Sequence, residues 1–132
     1  MANMIMQGTI LGFEGYSNYT LKNDFDESSP FSILECRDSD LYFVVVDPFF
    51  LNKDYSFQVD DATINELQLT ENPYDEIFVL CIVRVGNESH SVNFRAPLVC
   101  NSVKGIFRQI VLQDETYPTS TTFSFKTDTE SA

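Results

Sequence analysis

The chain has 132 residues, 43% hydrophobic and 14% aromatic, enough for a packed core and too apolar for a wholly disordered polymer. Five Gly and five Pro exclude a low-complexity or collagen-like architecture. Twenty Asp and Glu against eight Lys and Arg give a net charge of −12, which disfavours direct nucleic-acid binding and favours encounter with a basic protein.

Solubility alone would also account for that acidity. Twelve Phe and no Trp point to aromatics used for packing. Residues 4–11 form a short apolar segment, ended by Gly12-Phe13-Glu14-Gly15, where two glycines mark a turn. Tyr19-Thr20-Leu21 reads as a brief strand, and residues 23–30 as a polar, acidic loop. Residues 31–36 read as a strand, and Arg37-Asp38-Ser39-Asp40 has turn composition. The next strand, residues 41–46, is apolar on both faces and is therefore expected to be central. Asp47-Pro48 stops it, because proline cannot donate to a ladder.

Residues 55–59 alternate apolar and polar, as a half-buried strand does. One short helix is expected near residues 60–69. Asp60 or Asp61 caps it, Thr63 and Glu66 are spaced for a capping box, and Ala62, Ile64, Leu67 and Leu69 supply its apolar face. Asn72-Pro73 is read as its end. Residues 77–83 are a nearly unbroken apolar run, and Gly86-Asn87 then offers a two-residue primed turn into the alternating residues 88–95. After Ala96-Pro97 and the turn at residues 101–105 comes a last strand over 106–112. Many short strands with one helix imply an all-β, mainly antiparallel, small barrel-like or sandwich domain over residues 1–125. Residues 126–132 read as a polar, frayed tail.

No grammar of catalysis emerges. His90 is the only histidine, which prevents a multi-histidine metal site within one chain. Asp38-x-Asp40 and Asp60-Asp61 lack the glycine and glutamate of a calcium loop and read as solvated turns. A Cys81–His90 nucleophilic pair would need an exposed thiolate, yet Cys81 sits inside the longest apolar run. Cys36, Cys81 and Cys100 all lie among apolar residues, as small buried hydrophobes do. Their odd number and scatter argue against a disulfide framework. With no signal-peptide pattern and no apolar run of spanning length, the expected location is cytoplasmic, with no membrane contact. The sequons at Asn18 and Asn87 then count as chance matches.

Four segments together resemble the FliW family of flagellar assembly factors. They are Gly12-Phe13-Glu14; Phe43-Val44-Val45-Val46-Asp47-Pro48-Phe49; the ten residues Val92-Asn93-Phe94-Arg95-Ala96-Pro97-Leu98-Val99-Cys100-Asn101; and Gln109-Ile110-Val111-Leu112 followed by Tyr117-Pro118. Their order and spacing match the family over about residues 10–118. Cys100 stands where the family usually carries a larger aliphatic residue, and the chain begins almost at the Gly-Phe-Glu region, where many members have a further strand-like segment.

The resemblance implies a small antiparallel β-barrel without enzymatic activity or cofactor. It implies two protein partners, flagellin and the RNA-binding translational regulator CsrA. Flagellin holds the factor; once flagellin is exported, the freed factor captures CsrA and relieves repression of flagellin translation. A monomer is expected when free. Asn93, Arg95, Pro97 and Asn101 recur in the motif and are the candidate partner-binding residues. The alternative is that they only shape a strand crossing, with Pro97 at an edge or bulge, Asn101 in a turn and Arg95 as a solvated strand residue. A small-ligand-binding β-barrel, with phenylalanines lining a cavity, is the second functional reading.

Overall fold

A computed structural model describes residues 3–23, 29–69, 76–113 and 115–124. Its strands are β1 (Met4–Gln7), β2 (Asn18–Lys22), β3 (Phe31–Cys36), β4 (Tyr42–Val46), β5 (Ile77–Arg84), β6 (His90–Val92), β7 (Leu98–Asn101), β8 (Ile106–Gln109) and β9 (Thr121–Phe123). The order β4-β3-β2-β1-β8-β7-β5 closes on itself through β4–β5 pairing, making a barrel of seven strands. β6 and β9 extend the sheet beyond the end of β5. Every pairing is antiparallel except β1 with β8, whose register is the single pair Gln7–Ile106. The expected mainly antiparallel β-barrel is therefore what forms.

The double-sided apolarity of β4 and β5 has a direct cause. Val45 and Leu80 face the barrel interior, with Met6, Ile10, Tyr19, Leu34, Leu98, Cys100 and Phe107. Val46, Cys81 and Val83 face the other way, into a second core with Phe31, Tyr55, Val92 and Phe94. Both faces are covered, so these strands need no polar alternation. Each such side chain contributes roughly 1.5–3 kcal/mol of burial free energy. Side chains fill the barrel interior, as expected for a small barrel, which leaves the ligand-holding reading unsupported.

Tyr55 centres the second core. It is buried, donates its hydroxyl to the Phe94 carbonyl at 2.6 Å, and packs against Phe57, Phe94 and Tyr117. The alternation of residues 55–59 thus reports real burial of Tyr55, with Ser56 and Gln58 exposed, but this stretch forms no strand. β9 is a strand that composition did not reveal; Phe123 stacks on Phe31 and lies beside His90.

Two helices form rather than one. Pro48, which ends β4, opens α1 (Pro48–Leu51) from its N-terminal turn, with Asp47 capping Phe49 N–H at 3.0 Å. α2 (Asp61–Glu66) is capped by Asp60, which accepts from Thr63 N–H at 2.8 Å. Its buried positions are Thr63 and Leu67, four residues apart, while Ala62 is exposed. Thr63 therefore faces the core rather than capping the helix. α2 ends well before Asn72-Pro73, which lie outside the described residues. Gln68 takes a left-handed φ of 56°, Leu69 N–H reaches the Ile64 carbonyl and Gln68 N–H the Asn65 carbonyl, which closes the helix in a Schellman motif.

The primed turn at Gly86-Asn87 is also corrected. Neither residue has positive φ, and five residues separate β5 from β6, with Gly86 N–H donating to His90 Nδ1 at 3.2 Å. β5 pairs with β6 only at Val83 and Arg84; its longer partners are β4 and β7. Residues 126–132, read as a frayed tail, lie outside the described residues.

Candidate functional site

Two of the four segments that carry the family resemblance, residues 92–101 and 109–112, lie against each other. Leu112 N–H donates to the Arg95 carbonyl at 2.8 Å, and Ile110 N–H to the Pro97 carbonyl at 3.0 Å. The Gln109 side chain donates to the Ala96 carbonyl at 3.0 Å, and Arg95 Nε to the Leu112 carbonyl at 3.2 Å. These bonds prolong the β7–β8 ladder past Pro97, which cannot donate but still accepts. Pro97 is buried rather than standing at an exposed edge.

Each candidate residue has an internal task. Asn93 Oδ1 accepts from Arg95 and Ala96 N–H at 3.1 and 3.0 Å, turning the chain between β6 and β7. Asn101 is fully buried: Nδ2 donates to the Leu67 carbonyl at 2.8 Å, and Oδ1 accepts from Val103 and Lys104 N–H at 2.9 and 3.0 Å. One amide thus anchors the end of α2 and shapes the β7–β8 turn. Asn93 and Arg95 are half-buried, while Pro97 and Asn101 are buried.

On the other side of β8 lies the β1–β8 seam. A groove of about 500 Å³ lies there, between residues 8–11, the outer edge of β8 and the end of α2. Gly8 makes the seam possible, because a Cβ there would stand 2.3 Å from the Phe107 carbonyl oxygen. Farther along, Leu11 N–H bonds the Gln109 side chain at 2.8 Å rather than the β8 backbone. Glu66 of α2 pairs with Arg108 of β8 across this surface. A second groove of about 340 Å³ follows residues 110–113, with Asp60 on its rim. The thread from Asn101 through Leu67 to α2, and from Gln109 to Leu11, was not legible beforehand; glycines at 8 and 105, flanking a parallel contact, were its only sequence signal.

The cysteines offer no chemistry. Cys81 is paired in register with Val46, not with the His90 strand, and burial pushes its thiol up to about 12. His90 instead pairs with Phe123. Among the described residues no group of three metal-ligating side chains comes together, and no helix is long and apolar enough to cross a membrane.

A family model described as "FliW protein" matches residues 2–123. The flagellar assembly factor FliW of Desulfitobacterium hafniense (strain DSM 10664 / DCB-2) is 40% identical over 93 residues, which cover 70% of this chain and 61% of that protein. The factor of the same name from Caldanaerobacter subterraneus subsp. tengcongensis is 32% identical over 109 residues, covering 82% of this chain and 73% of its own. A crystal structure of the flagellar assembly factor FliW superposes with a TM-score of 0.79 at 28% identity, covering 89% of this chain and 83% of that one. The chain thus spans about 61% of the length of the Desulfitobacterium relatives it matches. The family match runs through both bonded motifs and the β1–β8 seam, and on it the chain belongs to the FliW family.

Proposed function

We propose that this protein is a cytoplasmic, non-catalytic flagellar assembly factor that binds flagellin and, when free of it, captures the translational regulator CsrA and so relieves repression of flagellin synthesis. The observation that carries this reading is the family match over residues 2–123. The net charge of −12 supports it, since an acidic domain docked beside a basic RNA-binding surface repels RNA without covering its contacts. Raising salt should then weaken the antagonism before it weakens the complex. In this reading the motif residues Asn93, Pro97 and Asn101 support partner binding by holding the backbone in shape, and Arg95 reaches the partner itself. The free protein acts as a monomer.

Tagged protein recovered from cell extract, with its bound proteins identified, tests the reading. Flagellin and a small RNA-binding protein are expected. Recovery of neither would overturn it.

A further inference from the structure

We propose that the groove on the outer face of β5, β6 and β9 is an oxyanion site. It takes a phosphoryl group, carried either by free phosphate or by a phosphorylated side chain of a partner protein. The inference goes beyond the reading of this chain as a flagellar factor and stands or falls separately from it.

Strand register builds the site. Arg84 pairs with Ser91, and Ser91 with Thr122, so these three residues form one row across β5, β6 and β9. Their neighbours Val83, Val92 and Phe123 belong to the second core, so alternation turns the row outward. A groove of about 270 Å³ is lined by this row together with Ser89, His90 and Ser120. His90 Nδ1 accepts the Gly86 N–H at 3.2 Å, which puts the proton of the neutral imidazole on Nε2. That second nitrogen is therefore a donor.

What distinguishes this groove is an unspent set of donors. The Arg84 guanidinium and the hydroxyls of Ser89, Ser91, Ser120 and Thr122 take part in no hydrogen bond or ion pair among the described residues. No carboxylate lines the groove, although the chain carries twenty Asp and Glu. The other two grooves differ: Glu66 lines the one at the seam, and Asp60 the one along residues 110–113. Glu88, in the connection between β5 and β6, is exposed and stays off the lining.

Chemistry then names the ligand. A guanidinium fork, four hydroxyls free to turn and an imidazole N–H suit a group that only accepts, through several oxygens. A phosphoryl group offers three such oxygens, whereas a cation finds no charged ligand there. The net charge of −12 does not forbid an anion. At about 0.1 M ionic strength, exposed charges more than about 10 Å away are largely screened, and the groove's own donors decide.

The test is a backbone-amide NMR titration of the full chain, with sodium phosphate replacing sodium chloride at constant ionic strength. Saturable shifts are expected at Arg84, Ser91 and Thr122, with a dissociation constant of about 1–10 mM. Arg84→Gln should weaken binding at least about tenfold, and Arg84→Lys, which keeps the charge and loses the fork, about threefold. Lys53→Gln, the same change of charge outside the groove, should leave binding unchanged. Arg84 is exposed, so its variants keep the fold, which unchanged amide spectra away from the groove verify. A blocked pentapeptide, Gly-Ala-Ser-Ala-Gly, with its serine phosphorylated or free, identifies the source. A phosphopeptide that binds at least as tightly as phosphate, with the unmodified peptide silent, assigns a partner's phosphorylated side chain. Phosphate that binds more tightly than the phosphopeptide assigns the free ion. No saturation in the millimolar range, equal binding of the unmodified peptide, or shifts spread over the surface and unaltered by Arg84→Gln (an adventitious ion only) would overturn the proposal.

Discussion

Arg95 and Leu112 hold each other through two bonds: the Leu112 amide donates to the Arg95 carbonyl at 2.8 Å, and Arg95 Nε donates to the Leu112 carbonyl at 3.2 Å. The pair splices two distant motifs into one surface beyond the last regular rung of β7 and β8. Removing the guanidinium forfeits one half-buried bond, so Arg95→Ala should cost about 1 kcal/mol and lower Tm by about 3–5 °C. Arg95→Glu should in addition weaken binding to flagellin or CsrA by about tenfold, read by titration calorimetry. Unchanged Tm and unchanged affinity for both partners would take Arg95 out of the site.

Asn101 carries more of the stability. Asn101→Ala leaves the carbonyl of buried Leu67, and the Val103 and Lys104 amides of the exposed turn, without their partner. A loss of about 2–4 kcal/mol is expected in denaturant unfolding. A loss below about 0.5 kcal/mol would mean that the clamp is not what holds the end of α2.

Much of the fold was legible because the strands announce themselves by burial. Residues 31–36 became β3 without revision, and the run 41–46, expected to be central because it is apolar on both faces, holds β4. The misses have physical causes. Residues 55–59 alternate because Tyr55 is buried in the second core, not because a ladder pairs them. Pro48 signalled a strand end, and the same fixed φ also suits the first turn of α1. Gly86-Asn87 looked like a primed turn, but a five-residue connection relieves the need for positive φ. Within the candidate site, residue types were visible while their bonds were not. Asn101 reads as a turn former, and it is one through Val103 and Lys104; its third bond, to Leu67, crosses 34 residues of sequence.

Gln68 is a place where the chain is improvable. It occupies the left-handed position that closes α2, where a side chain costs about 1–2 kcal/mol that glycine does not incur. Gln68→Gly should raise stability by about 0.5–1 kcal/mol, after allowance for the extra freedom of glycine in the unfolded chain. A lower urea midpoint in the variant would contradict this.

The thiols give a pH test. Burial raises Cys81 to about 12, and burial also raises Cys100 and Tyr55 above their ordinary values. A raised native pKa means that the folded state holds its proton more tightly. The contribution is therefore complete below the unfolded thiol value of 9.0 and is lost as pH rises from there toward about 12. The urea midpoint should be flat from about pH 7 to 8.5 and fall above about pH 9. At about pH 8 a thiol reagent should modify the cysteines only as fast as the protein unfolds, since all three are buried. Rapid labelling of folded protein would contradict the core placement of Cys81.

In the proposed function flagellin and CsrA exclude one another, and displacement of RNA tests that most directly. Fluorescent flagellin-leader RNA bound to purified CsrA is titrated with this protein, first alone and then with one equivalent of flagellin monomer. The expected result is release of the RNA by the protein alone and its retention when flagellin is present. RNA that stays on CsrA at saturating protein, or release that flagellin does not suppress, would contradict the account.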